Sequence, residues 1–225
     1  MNYYAIIVAG GSGNRMNNSI PKQFLLLADR PVMMHAIEVF YNCPLQPKIV
    51  VVLGRELQVQ WAELCSQYNF TFPHLLVDSG VQRFHSVKNG LSTIDGDGIV
   101  AIHDAARPLV SQEVVLRSYE IAEKLGNCVT GISPVDSIRF IDGEGISKAV
   151  ERADFRLIQT PQTFQVNELR KAYEVEFRNE FTDDASVMES FGTHINLIEG
   201  NRENIKITYP LDLEIASVLI KKKRA

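Results

Sequence analysis

With 225 residues, 45% of them hydrophobic, and a formal charge of -4, the chain falls in the ordinary soluble range and can bury one substantial core. A pI near 5.8 argues against a protein that coats nucleic acid, yet leaves room for a local basic pocket that takes small anionic ligands. Cys43, Cys65 and Cys128 are widely spaced and form no Cys-x-x-Cys pattern, which reads as reduced thiols in a cytoplasmic protein.

In chain order, the apolar run at residues 4–9 predicts a first strand; it lacks a basic lead and is far short of the roughly 20 residues needed to span a bilayer. Pro31 suits the first turn of a helix over 32–40. Residues 49–53, 75–77, 99–102 and 129–132 read as further buried, largely parallel strands. Between them, Leu57, Trp61, Leu64, Cys65 and Tyr68 form one apolar helix stripe and Val115, Tyr119 and Ala122 another, with Ser111 placed to cap the latter helix. After Pro134 the rhythm changes: residues 137–141 and 146–150 flank Asp142-Gly143-Glu144-Gly145, a hairpin signal. Helical spacing returns at Leu169, Ala172, Tyr173 and Phe177, again after Thr182-Asp183-Asp184, and finally at Leu211, Ile215, Val218 and Leu219. The basic run at residues 221–224 reads as a solvated helix end. The expectation is one domain over residues 1–225: a doubly wound, mostly parallel α/β sheet with a protruding hairpin arm at about residues 134–154.

The densest chemical signal is Ala9-Gly10-Gly11-Ser12-Gly13-Asn14-Arg15-Met16, followed by Pro21-Lys22-Gln23. A loop leaving the carboxyl end of a parallel strand lies where ligands bind, and its free N–H groups can hold phosphate oxygens beside Arg15 and Lys22. A nucleoside-triphosphatase loop is excluded, because the spacing from Gly10 or Gly11 reaches Arg15 or Met16 where Gly-Lys should stand. A dinucleotide fingerprint lacks its third glycine, and Pro21 interrupts the helix it would open. A plain glycine turn with solvated charges stays open beside phosphate binding.

His103-Asp104-Ala105-Ala106-Arg107-Pro108 follows another strand, so Asp104 and Arg107 are expected at the same sheet edge. There Asp104 could engage Mg2+, directly or through water, with a triphosphate supplying further oxygens; a surface pair with Arg107 is the alternative. Arg83 and Ser86 after Ser79-Gly80, Arg152, Thr160-Pro161-Gln162, Thr182-Asp183 and Asn204-Ile205-Lys206 are individually weaker signals. No histidine pair has metal-ligand spacing, and no nucleophile elbow is present.

In this order, and over nearly the whole chain, these motifs resemble the 2-C-methyl-D-erythritol 4-phosphate cytidylyltransferase family. The resemblance implies a Rossmann-like nucleotidyltransferase that joins CTP to a polyol phosphate with Mg2+, in the non-mevalonate route to isoprenoids. It implies a homodimer whose arm reaches the partner's site, so that Arg152 acts across the interface, and it implies neither nucleic-acid nor membrane partners. By residue, it places Arg15 and Lys22 at the transition state, and Arg152 and Lys206 on the acceptor, with Asp104, Arg107, Ser137, Thr160 and Thr182 completing that pocket. Ala9, Gly10, Gly11, Ser12, Gly13, Ser79, Gly80, Arg83 and Ser86 would surround the nucleotide. Many members carry Ala-Ala-Gly where this chain has Ala9-Gly10-Gly11. Rival readings are a ribitol 5-phosphate cytidylyltransferase, with the same loop and chemistry, and a nicotinamide-dependent oxidoreductase.

Overall fold

The computed structural model describes residues 1–11 and 20–224, with residues 223 and 224 described by backbone alone. The chain opens with β1 (Tyr3–Val8), a short 3-10 turn at Lys22–Phe24, the small pair β2 (Leu26–Leu27) and β3 (Arg30–Pro31), and α1 (Val32–Tyr41). There follow β4 (Lys48–Leu53), α2 (Gln58–Gln67), β5 (Leu75–Asp78), α3 (Arg83–Ser92), β6 (Ile99–Asp104), α4 (Gln112–Leu125) and β7 (Asn127–Ile132). The hairpin β8 (Arg139–Ile141) and β9 (Ser147–Ala149) precedes β10 (Leu157–Gln165), α5 (Val166–Ala172), α6 (Asp184–Ser190), β11 (Leu197–Glu199) and α7 (Pro210–Arg224).

Seven strands form one sheet in the order β11-β7-β10-β6-β1-β4-β5. All neighbouring pairs are parallel except the two made by β10, which runs antiparallel to both β6 and β7. The period-2 alternation of strand side chains divides the core. Ala5, Ile7, Ile49, Val51 and Ala101 pack with α1, α2 and α4 on one face. Tyr4, Ile6, Val50, Val52 and Val100 pack with α3, α5 and α6 on the other. This is the expected α/β architecture, helices covering both faces of a largely parallel sheet.

Individual helix signals hold for local reasons. Ser111 caps α4 by accepting from the Val114 N–H at 3.2 Å, and Gly126 ends that helix with φ 89°, a conformation glycine adopts without strain. Asp183 caps α6, with Ser186 completing a capping box. Of the stripe expected on α7, Leu211, Ile215 and Val218 are exposed, at 62%, 42% and 57%, and only Leu219 packs inward. Instead Leu213, Ala216 and Ile220 turn inward onto Leu25, Leu27 and Val32. α7 carries two interleaved apolar stripes, and the one with the small Ala216 permits the closer approach. Along with the short β11, β10 is an unforeseen strand of the main sheet. Its pairing with β7 lapses between Ile158 and Gln162, where the Pro161 carbonyl accepts from the Thr130 hydroxyl at 2.9 Å.

Among the described residues, no helix is long and apolar enough to cross a membrane. The three cysteines are free: Cys43 and Cys128 are buried and Cys65 partly so. Burial pushes the Cys65 thiol up to about 11 and the Cys128 thiol to about 12, so both stay protonated and inert near neutrality.

Candidate active site

The carboxyl ends of β1, β4, β5 and β6 meet at one edge, and antiparallel β10 begins there. Around that edge lies a cavity of about 410 Å3, walled by the backbone of residues 8–11, the Lys22 turn, the start of α3, Asp104 and Lys206. The loop after β1 is pinned by Gln23, whose Nε2 donates to the Ala9 carbonyl at 2.9 Å. The loop after β5 is pinned by Ser86, whose Oγ accepts from the Gly80 N–H at 3.1 Å and donates to the Gln82 carbonyl at 3.2 Å. The two loops touch closely: a Cβ on Gly10 would stand 2.7 Å from the Cβ of Ser79. An alanine at position 10 would need the Ser79 loop to shift.

Asp104 is the electrostatic centre. Lys206 Nζ lies 2.8 Å from its Oδ2, Arg83 Nε donates to its Oδ1 at 3.3 Å, and Arg107 Nε is 3.7 Å from Oδ2. The last distance is an ion pair without a hydrogen bond. Burial works against the charge of Asp104, but Arg83, Lys206 and Arg107 outweigh it and hold the carboxyl well below the usual carboxylate range. With Lys22 also lining it, the cavity is basic although the chain as a whole is acidic.

Behind Asp104, a set of matched hydrogen bonds fixes its backbone. The Asp104 N–H donates to Thr160 Oγ1 at 3.1 Å, Thr160 Oγ1 lies 3.0 Å from His103 Nδ1, and His103 Nε2 lies 3.0 Å from the Arg107 carbonyl. A carbonyl can only accept, so His103 carries its proton on Nε2 and receives the Thr160 hydroxyl proton on Nδ1. Burial pushes the imidazole down to about 4, keeping it neutral. Lys206 is fixed by its neighbours. Asn204 is buried and donates to the Thr160 carbonyl at 2.8 Å, while the Ile207 N–H donates to the Ala106 carbonyl at 2.8 Å.

The structure therefore brings together Ala9, Gly10, Gly11, Lys22, Gly80, Arg83, Ser86, Asp104 and Lys206 around the cavity, with Ser79, Arg107 and Thr160 immediately behind. Ser12, Gly13 and Arg15 lie outside the described residues. Ser137, Arg152 and Thr182 are exposed and do not line the cavity. Ser137 and Arg152 belong to the arm that leaves after β7, where Arg152 Nη1 donates to the Val135 carbonyl at 2.6 Å. Sequence reasoning gave no role to His103, Gln23, Asn204, Asp184 or Tyr173. Each acts through a partner distant in sequence, although His103, Gln23, Asn204 and Asp184 stood inside motifs that were noticed.

Asp104 is the one carboxylate among the described residues lining the cavity. No group of three or more His, Cys, Asp or Glu side chains among the described residues could hold a metal unaided. A larger cavity, about 860 Å3, opens at the amino edge of the sheet between Tyr41, Pro44, His74 and Leu75. Both His74 nitrogens are taken there, by Trp61 and by the Phe72 carbonyl. The smaller cavity has the converging charge that a phosphate needs.

Residues 3–222 match the family model described as 2-C-methyl-D-erythritol 4-phosphate cytidylyltransferase. The protein of that name from Phocaeicola vulgatus is 47% identical over 98% of this chain and 100% of its own length. That from Bacteroides fragilis is 48% identical over 96% and 98%. Among solved structures, 4-diphosphocytidyl-2C-methyl-D-erythritol synthase from Anaerococcus prevotii superposes with a TM-score of 0.85 at 25% identity, covering 98% of this chain and 96% of that one. The 2-C-methyl-D-erythritol 4-phosphate cytidylyltransferase of Francisella tularensis gives 0.79 at 31% identity, covering 97% and 99%.

Proposed function

The chain belongs to the 2-C-methyl-D-erythritol 4-phosphate cytidylyltransferase family, and we propose from that premise that it transfers CMP from CTP to 2-C-methyl-D-erythritol 4-phosphate. The products are 4-diphosphocytidyl-2-C-methyl-D-erythritol and pyrophosphate, in non-mevalonate isoprenoid biosynthesis. The observation that supports this reading best is the basic cavity at the carboxyl edge, where Arg83 and Lys206 flank Asp104 and Lys22 lines the same space.

In the proposed reaction a phosphate oxygen of the acceptor attacks the α-phosphorus of CTP in line. One P–O bond forms, the bond to the bridging oxygen breaks, and its electrons leave with pyrophosphate. A phosphate monoester has a second pKa of about 6, so the nucleophile is already anionic and no general base is required. That agrees with His103, whose two nitrogens are both engaged within the protein. The barrier is the approach of two anions, which fixed cations and alignment lower. Lys22 and Arg15 are assigned to the developing charge on the phosphoryl group, and Lys206 and the partner-reaching Arg152 to the acceptor. Asp104, which pairs with Lys206, and Arg107, Ser137, Thr160 and Thr182 are assigned to completing the same acceptor pocket. The backbone of residues 9–13, with Ser79, Gly80, Arg83 and Ser86, is assigned to the nucleotide.

Mg2+ is the proposed cofactor. This ion is commonly bound through one or two carboxylates plus substrate phosphates; Asp104, the cavity's one carboxylate among the described residues, is already paired with Arg83 and Lys206, so the triphosphate would supply most of the donors. When bound, it would offset charge on the triphosphate. We assign residues 1–225 to one nucleotidyltransferase domain of a cytoplasmic homodimer, with the arm at about residues 134–154 as its dimerisation element. The test is 31P NMR of the purified protein with CTP, acceptor and Mg2+. New diphosphate-ester resonances should need all three components. Free pyrophosphate without that ester would refute the transfer.

A further inference from the structure

Arg83 is gripped from outside the cavity it lines. Its Nη1 and Nη2 donate to the two oxygens of Asp184 at 2.9 and 2.7 Å, a bidentate fork, and Asp184 also accepts from the Tyr173 hydroxyl at 2.6 Å. Asp184 is wholly buried, and neither it nor Tyr173 lines the cavity. A carboxylate withdrawn from water needs its charge and lone pairs matched; here three donors match it. The Tyr173 ring stacks on Phe84 with centroids 4.7 Å apart, which ties the grip to the residue next to Arg83 on α3.

We propose that Asp184, supported by Tyr173, is a positioning residue for the acceptor site: by occupying the fork of Arg83 it keeps Asp104 available to Lys206. With both Nη atoms committed to Asp184, Arg83 has Nε for Asp104 Oδ1, and Lys206 holds Oδ2. A guanidinium fork matches a carboxylate better than an ammonium does. Without the charge on Asp184, the carboxylate left beside that fork is Asp104. Lys206, with its side chain 40% exposed, is then the partner displaced. The inference rests on the assignment of Lys206 to the acceptor, whereas the coupling itself does not.

Two readouts separate these layers. In protein carrying [13Cε]lysine, the Lys206 resonance, assigned by its loss in Lys206→Ala, should move in Asp184→Asn toward its position in Asp104→Asn. In steady-state kinetics, Asp184→Asn should raise KM for methylerythritol phosphate about tenfold, the loss of roughly one charged hydrogen bond. It should add nothing further in the Lys206→Ala background. If Asp184→Asn fails to fold, Tyr173→Phe keeps the ring stack and should move both readouts in the same direction by less. An unmoved Lys206 resonance in the folded variant, or effects on acceptor KM that add to those of Lys206→Ala, would overturn the proposal. Absence of turnover in the unaltered protein would overturn the functional reading alone, because the resonance still decides the coupling.

Discussion

Asp104 draws together Arg83, Arg107 and Lys206, cations from three stretches of the chain, and what each contributes can be separated by substitution. Lys22→Ala should lower kcat by about 30- to 1,000-fold, the equivalent of roughly 2–4 kcal/mol of lost charge stabilisation. CTP affinity should change far less; near-normal turnover in the purified variant would remove Lys22 from the transition state. Gly10→Ala should cost about 1–3 kcal/mol by overpacking against Ser79, and Ser79→Gly in the same protein should restore it. Thermal melts of the two single variants and the double variant check this, and additive losses would contradict it.

His103 makes a statement about pH. It is held neutral in the fold, pushed down to about 4, whereas an unfolded histidine takes its proton near pH 6.5. Between about pH 6.5 and 4 the unfolded chain binds more protons, so stability falls as pH falls. Asp104, with its depressed value, adds stability that is full above about pH 4 and is lost only below it. The urea midpoint should therefore drop from pH 7 to pH 4.5, and His103→Gln, less stable at pH 7, should show a shallower slope. An equal slope in the variant would mean another group carries the dependence.

At the scale of elements, the sequence was most legible where periodicity and capping agree. Strands β1, β4 and β6 are continuous apolar runs because both faces are covered, and α4 has its stripe, its Ser111 cap and its Gly126 stop. Ser111→Ala should cost about 1 kcal/mol of stability in urea titration, and no change would show the α4 start to be held by packing alone. β10 was missed because its residues 157–162 mix apolar and polar side chains around Pro161, and its partners β6 and β7 are distant in sequence. On α7 the period was right, but of the expected stripe only Leu219 packs inward, since nothing local distinguishes two interleaved stripes. The hairpin was legible from its turn: Asp142 Oδ1 accepts from the N–H groups of Glu144 and Ile146, and Gly145 takes φ 82°.

For the whole molecule, topology turns scattered motifs into a site. Glycine loop, Asp104 and Thr160 converge because parallel strands end, and one antiparallel strand begins, at the same edge. Strand ends were readable from sequence; the buried supports Asp184, Tyr173 and Asn204 were not, because their partners are fixed only by tertiary packing. The arm presents Val135, Phe140, Ile141 and Ile146 more than half exposed, an apolar patch in keeping with the proposed dimer. Sedimentation should give about twice the 25.3 kDa chain mass, shifting to one chain in Phe140→Asp with Ile146→Asp. Mixing inactive Lys22→Ala and Arg152→Ala proteins should restore part of the activity if sites are shared between subunits.

The most direct measurement is Mg2+-dependent pyrophosphate release from CTP with methylerythritol phosphate and ribitol 5-phosphate compared as acceptors. Release that depends on methylerythritol phosphate, with little from ribitol 5-phosphate, is the expected result. Equal or greater release with ribitol 5-phosphate would contradict the acceptor assignment, and no release with either would contradict the proposed reaction itself.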